Sequence, residues 1–583
     1  MPPYKIVRVW PDVRWIGALC IALLFFAVQV PARAETPERP FGRFHPVAGT
    51  AGMVAAQEAQ AARVGIDVLR RGGNAVDAAV AVGFALAATL PRAGNLGGGG
   101  FMLVHLAESG RTAAIDYRET APRGAGRDMF LDAAGAVDKE RERYSHKAVA
   151  VPGTVAGLAL ALTQFGTLPL KDVIAPAIRL AEDGILVSAD MARELLLRKD
   201  RLAKWPASAR IFLKQDGEPL RAGDRLVQQD LAASLRLVAD QGPDAFYRGP
   251  IGKRIVAELK AGAGLIGEDD LAAYRAVIRE PVSGTYRGYR ILSMPPPSSG
   301  GIHIVQILNI LEGYDIAALG HNSAASIHLL AEAAKRAYAD RAQHLGDPDF
   351  WPVPVAGLRS KPYAAALRQE IDIHRATPSR EIAPGKPDLF EGPNTTHYSV
   401  VDRNGNVAAN TYTLNFSYGS GIVAAGTGIL LNNEMADFVA KAGQPNAYGL
   451  LGGDANAIAG GKRPLSSMSP TIVLKDGKPF LATGSPGGSR IITTVTQILL
   501  NVIDHRMNVA DATAAPRVHH QWQPDTLRIE QGISPDTQKM LEALGHRVEL
   551  GPTMGATQSI LLSGGTLAGA SDPRRPDGVT LGY

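Results

Sequence analysis

The sequence predicts a layered α/β (α+β) protein in which β-sheets are covered by helices. Three observations point there. The composition is that of an ordinary globular chain: of 583 residues, 46% are hydrophobic, 20% charged and 6% aromatic. That excludes coiled-coil, collagen-like and disordered classes. Stretches with helical periodicity end at Gly or Pro signals. Short β-branched runs lie between them, without the regular strand–helix–strand alternation of a parallel sheet. Lys and Arg number 61 against 56 Asp and Glu, a net charge of +5, too small and too interspersed for nucleic-acid binding.

At the N-terminus, Lys5, Arg8 and Arg14 precede an apolar run from Trp15 to Val30, which ends at Pro31-Ala-Arg-Ala34. A basic start, a hydrophobic centre and a small-residue exit describe a secretory signal peptide, residues 1–34, cut after Ala34. The run is short for a membrane span. The only cysteine, Cys20, leaves with it. The mature chain then has no disulfide and no thiol nucleophile, which suits a periplasmic or secreted bacterial protein free of the membrane.

Residues Val54 to Arg71 carry helical periodicity and stop at Gly72-Gly73. Asn74 caps a second helix running to Leu90, where Pro91 ends it; being apolar nearly all round, it should be buried. Further helices are expected over 168–183, 228–241, 323–343 and 491–505. Strands are expected over 289–293, 397–402, 407–414 and 471–475. The stretch from Thr377 to Pro393 is rich in Pro, Glu, Lys and Gly and reads as an exposed loop. A strand-like pattern, Asn394-Thr-Thr-His-Tyr-Ser-Val-Val-Asp402, follows at once. Asn404-Gly405 is then a hairpin signal. With these two at the centre of the turn, Thr396 faces Thr413 and Thr395 faces Leu414. A single bulge would instead bring Thr413 opposite Thr395.

An exposed linker entering a strand that begins with threonine has a chemical use. Cutting the Asn394–Thr395 bond gives Thr395 a free α-amine beside its hydroxyl. Such an amine, with a pKa of about 7.7–8, accepts a proton near neutral pH. A threonine activated by its own amine is a nucleophile–base pair.

Thr-Thr-His-Tyr-Ser-Val-Val-Asp, 395 to 402, with Tyr412-Thr-Leu-Asn415, resembles the catalytic start of the γ-glutamyltransferases (γ-glutamyltranspeptidases, glutathione hydrolases). Other blocks are similar in family order: Gly94-Asn-Leu-Gly-Gly-Gly-Gly-Phe101, Asp116-Tyr-Arg-Glu-Thr-Ala-Pro122, Met294-Pro-Pro-Pro-Ser-Ser-Gly-Gly301 and Leu431-Asn-Asn-Glu-Met435. Arg463-Pro-Leu-Ser-Ser-Met-Ser-Pro470, Gly484-Ser-Pro-Gly-Gly-Ser-Arg490 and Asp572-Pro-Arg-Arg-Pro-Asp-Gly578 complete the set. The resemblance implies a four-layer αββα sandwich of the N-terminal nucleophile hydrolase type, made as a self-cleaving precursor. Its products would be a large chain, 35–394, and a small chain, 395–583, sharing one core.

It also implies a site. Arg118 would hold the γ-glutamyl α-carboxylate with its planar fork, joined by the hydroxyls of Ser466 and Ser467. Asp437 and Glu434, three residues apart and so on one face if helical, would meet the ammonium. Asn415 would contact either charged end, and Thr413 would orient the Thr395 hydroxyl. Gly487 and Gly488, between a strand and a helix start, would donate main-chain N–H groups to the oxyanion. Tyr448, in a glycine-rich loop, matches a lid tyrosine. Gly97–Gly100 lacks a following Gly-Lys-Ser/Thr and reads as a close-packed turn near Arg118. His397 and the pair His519-His520 read as structural, with no metal site and no cofactor.

The expected activity is transfer of a γ-glutamyl group from glutathione or a similar amide to Thr395, then to water, an amino acid or a dipeptide. Two alternatives stay open on the sequence: a glutaryl-cephalosporin acylase or poly-γ-glutamate-cleaving enzyme of the same fold, and an unprocessed, non-catalytic binding protein.

Overall fold

Two seven-stranded antiparallel sheets lie at the centre of the protein, seen in a computed structural model that describes residues 42–386 and 396–583. One sheet runs Val579–Gly582, Met53–Ala56, Thr396–Val401, Val407–Thr413, Gly99–Leu106, Arg111–Tyr117, Val277–Arg279. The other runs Val47–Gly49, Thr566–Ser571, Gln558–Ser563, Lys478–Thr483, Thr471–Lys475, Tyr289–Ser293, Val282–Tyr286. The signal segment 1–34 and the Asn394–Thr395 junction fall outside the described residues.

Side-chain alternation sorts these strands into four layers. Met53 and Ala55, Phe101 and Leu103 from the first sheet pack with Leu292, Ile472, Ala482 and Ile560 from the second. Their neighbours Val54, Met102 and Val104 face the other way, onto helices Ala59–Arg70, Ala75–Thr89 and Thr154–Phe165. On the far side, Ile291, Val473 and Leu481 pack on helices Gly300–Leu311, Ala324–His344 and Ile491–Ile503. The result is the αββα sandwich expected.

Most elements begin where the sequence signals place them. Asn74 and Asp77 form a reciprocal capping box, with side-chain bonds of 2.9 and 2.8 Å, and every residue of Ala75–Thr89 is buried. The helix expected from Val54 starts instead at Ala59, and Met53–Ala56 is a strand paired on both edges. All four of its residues are buried. A strand apolar on both faces loses its period-two signature and merges with the helix that follows.

The hairpin takes the bulged register. Thr396 pairs with Tyr412, His397 with Thr411 and Val401 with Val407. Gly405 donates to Asp402 O at 3.1 Å and has φ +79. The Asp402 carboxylate accepts from the N–H groups of Asn404 and Asn406 at 2.9 and 3.0 Å. That side-chain anchor closes a longer turn than Asn404-Gly405 alone would, and shifts the pairing by one residue. The glycine run at 97–100 enters the neighbouring strand at close quarters, where a Cβ on Gly98 would lie 1.9 Å from Thr413 O.

Candidate active site

Strand Arg111–Tyr117 delivers Arg118 to the interior, where it is fully buried. Its Nε donates to Pro464 O at 3.1 Å and one Nη to Leu465 O at 3.4 Å. That same Nη donates to Asp437 Oδ2 at 2.7 Å. The other bonds Glu434 Oε1 and lies 3.5 Å from Glu119 Oε2. Glu434–Asp437 is one turn of 3₁₀ helix, with about three residues per turn, so positions i and i+3 point the same way.

One cation thus faces three buried carboxyls. Burial pushes the Glu119 carboxyl up to about 7 against the pull of Arg118, with the Asp437 charge adding to the rise. Burial likewise holds Glu434 well above, and Asp437 above, the usual carboxylate range, Arg118 opposing both. Among the described residues, Glu434 Oε2, Asp437 Oδ1, both Glu119 oxygens and Ser467 Oγ have no hydrogen-bond partner. Buried acceptors are costly when unmatched.

Ser466 and Ser467 are buried directly after Leu465, whose carbonyl receives Arg118. The Ser466 main chain is pinned through Pro297 O and Ser299 N at 3.1 Å each.

A second group of expected residues gathers at the open end of the hairpin. Thr413 Oγ1 accepts from Asn415 N at 2.8 Å. Asn415, at φ +73, donates through Nδ2 to Asn433 O at 3.0 Å and accepts the Tyr448 hydroxyl at 2.6 Å. The Tyr448 ring stands edge-on to Phe416, centroids 5.6 Å apart. Its other side meets the glycine loop, where a Cβ on Gly488 would lie 2.8 Å from Tyr448 Cδ1. Gly487 has φ +138 and Gly488 φ +63, conformations that L side chains rarely adopt. Neither N–H donates to a described residue.

Asn433 joins the two groups. It precedes Glu434, accepts from Asn415, and takes the Phe416 N–H on its side chain at 3.1 Å. The structure thus brings the described residues of the expected set together; Thr395 lies in the junction that is not described. Two residues at this place carry no expectation from the sequence: Glu119, and Gln521, which bonds Tyr448 O and Ser489. For Glu119 the signal was present: three charges within Asp116-Tyr-Arg-Glu119 at a buried strand end. Gln521 carries no such mark.

His397 is a packing residue, bonded to Thr411 and Ser399 hydroxyls at 2.9 Å; burial lowers its pKa to about 3. His520 has an acidic partner, Asp525, at 3.3 Å. Among the described residues, His328, Glu332 and His546 lie close enough to hold a metal. There Glu332 is committed to Lys335 and Arg336, each at 2.8 Å, an unfavourable setting for a further cation.

The sequence matches the family model described as Gamma-glutamyltranspeptidase over residues 61–582. The chain belongs to this family. A gamma-glutamyltranspeptidase is an enzyme with transferase and hydrolase activity, formed from a proenzyme. The "Glutathione hydrolase proenzyme" of Escherichia coli (strain K12) is 57% identical, covering 98% of this chain and 99% of that protein. The "Acylase ACY 1 proenzyme" of Pseudomonas sp. (strain SE83) is 42% identical, covering 90% and 92%. The crystal structure of cephalosporin acylase from Bacillus halodurans superposes with a TM-score of 0.84 at 29% identity, covering 93% of this chain and 98% of that one. This gamma-glutamyltranspeptidase thus has the αββα fold of the N-terminal nucleophile hydrolases.

Proposed function

We propose that the enzyme cleaves itself between Asn394 and Thr395 and then uses Thr395 to carry a γ-glutamyl group from glutathione to water, an amino acid or a dipeptide. The chains produced are 35–394 and 395–583, after export and loss of residues 1–34. Among the described residues no helix is long and apolar enough to cross a membrane, and the proposed compartment is the periplasm or the exterior.

The observation that carries this reading is the buried cluster of Arg118, Glu434 and Asp437. A γ-glutamyl group ends in a carboxylate and an ammonium. The carboxylate takes over the Arg118 N–H groups that Glu434 and Asp437 hold in the free protein, with the Ser466 and Ser467 hydroxyls beside it. The ammonium meets Glu434 Oε2 and Asp437 Oδ1, which have no other partner among the described residues. The Thr413 hydroxyl, at the open end of the hairpin, orients the nucleophile. The Thr395 α-amine takes the hydroxyl proton as Oγ bonds the γ-carbon. The carbonyl oxygen becomes an oxyanion held by the Gly487 and Gly488 N–H groups, where one lost donor typically costs about 2.7–4 kcal/mol. The C–N bond then breaks and the proton passes to the leaving amine. Water or an amine attacks the ester in turn.

The acylase relatives favour a second reading, in which a glutaryl amide replaces the γ-glutamyl one. A glutaryl group lacks the ammonium and would leave Glu434 and Asp437 unmatched. Rates on matched γ-glutamyl and glutaryl anilides, for the wild type and Thr395→Ala, decide between them. The γ-glutamyl compound should be preferred by at least about 10²-fold, and Thr395→Ala should abolish both reactions. Equal rates on the two compounds would favour the acylase.

A further inference from the structure

Behind the site, the buried side chain of Gln521 touches two elements that the mechanism uses separately. Its Nε2 lies 3.2 Å from Tyr448 O, in the loop over the site, and 3.2 Å from Gln523 O. Its Oε1 accepts from Ser489 Oγ at 2.7 Å, next to Gly488, and lies 3.0 Å from His519 Nε2. Gly449, which follows Tyr448, has φ +76, and a Cβ there would lie 3.3 Å from Gln521 Nε2.

The hydrogen-bond inventory orients the whole network. Two carbonyls face one end of the amide, so that end is the NH₂. The other end, the carbonyl, has to face a donor, so His519 carries its proton on Nε2. His519 Nδ1 is then an acceptor 2.8 Å from the Thr493 hydroxyl, which it shares with Arg490 O at 3.1 Å. Burial keeps this imidazole neutral, with its pKa lowered to about 3. Ser489 is held from the other side as well, its carbonyl receiving the Tyr338 hydroxyl. Both amide hydrogens and both carbonyl lone pairs of Gln521 are used.

We propose that Gln521 is a positioning residue that couples the Tyr448 loop to the Gly487–Ser489 oxyanion loop, so that closure of one sets the geometry of the other. The proposal rests on the reading of Tyr448 as the lid and of Gly487 and Gly488 as oxyanion donors. It assigns no contact with substrate to Gln521 itself.

Gln521→Glu separates the two arms at almost constant shape. It keeps an acceptor for Ser489 and sets a carboxylate oxygen against Tyr448 O and Gln523 O, where donors stood. The test is a double-mutant cycle with Tyr448→Ala, following kcat/KM on a γ-glutamyl anilide, with mass analysis of the two chains as the check on folding and processing. In the wild-type background Gln521→Glu should lower kcat/KM about tenfold, and in the Tyr448→Ala background less than about twofold. A general packing defect would lower both backgrounds equally, and that result overturns the coupling, as does no loss in either. Ser489→Ala deletes only the oxyanion-loop arm and runs through the same cycle. If Gln521→Glu yields no folded protein, equal losses with Ser489→Ala in both backgrounds overturn the proposal, and a loss confined to the wild-type background supports it. Thr395→Ala separates the two levels of failure. If it retains turnover, the catalytic reading falls; if it is inactive while the cycle is additive, only the role of Gln521 falls.

Discussion

The charge cluster around Arg118 and the glycine loop at Gly487–Ser489, proposed to face the same substrate, are built from opposite materials. The cluster is all side chain and wholly buried, and its function follows from which charges are present. The loop presents main chain at Gly487 and Gly488, which are partly exposed, and its proposed function follows from these two glycines at positive φ. Loss of a charge should therefore damage binding and stability together. Loss of a loop conformation should damage the chemical step and little else.

The largest effect should come from breaking the cluster. Arg118→Gln leaves three buried carboxyls without their cation, at a cost of about 3–5 kcal/mol in stability. Its kcat/KM on a γ-glutamyl donor should fall by about 10³-fold, chiefly through KM. Steady-state kinetics and thermal unfolding check both halves, and a loss confined to kcat would contradict the assigned role. Arg118→Lys sharpens the point, because it keeps the charge and loses the fork.

Gly488→Ala tests the other side. The Cβ meets the Tyr448 ring, and φ +63 is a left-handed conformation that strains any L side chain. A fall of about 10²–10³ in kcat is expected with KM little changed. A KM effect alone would place Gly488 in recognition.

The third effect concerns pH. The Glu119 carboxyl sits at about 7 in the folded protein, above its ordinary 4.5, because it is buried. A raised acid gives stability that is fully present below about pH 4.5 and is lost as pH rises through about 7. Relative to Glu119→Gln, the wild type should thus lose melting temperature between those values. Parallel curves for the two proteins would sink this.

The smallest effect belongs to Tyr448→Phe, which removes the 2.6 Å bond to Asn415 and keeps the ring over Gly488. A net contribution of about 0.5–1.5 kcal/mol corresponds to a KM raised about two- to tenfold. An effect as large as that of Arg118→Gln would make the hydroxyl, and not the ring, the working part of the lid.

The same contrast explains what the sequence reveals. Arg118, Glu434 and Asp437 are legible because buried charge is rare and their family blocks are distinctive. Thr413 and Asn415 are legible once the hairpin is seen, although the register depends on the Asp402 side chain, which a turn motif does not specify. Met53–Ala56 is hidden because a strand buried on both faces has no alternation to read. Gln521 is hidden for another reason: its four bonds run to residues 32 and 73 positions away as well as to near neighbours. No local pattern encodes such a contact. His520 and Asp525 show the same limit at shorter range.

The most direct test of the account is denaturing mass analysis of the purified protein with N-terminal sequencing of each chain. By proportion of 61.6 kDa, self-cleavage at a threonine nucleophile gives chains of about 38 and 20 kDa. The account predicts that the lighter one begins Thr395-Thr396-His397, and that Thr395→Ala remains a single chain. A fully active wild-type protein that stays uncut, or is cut at another residue, would contradict it.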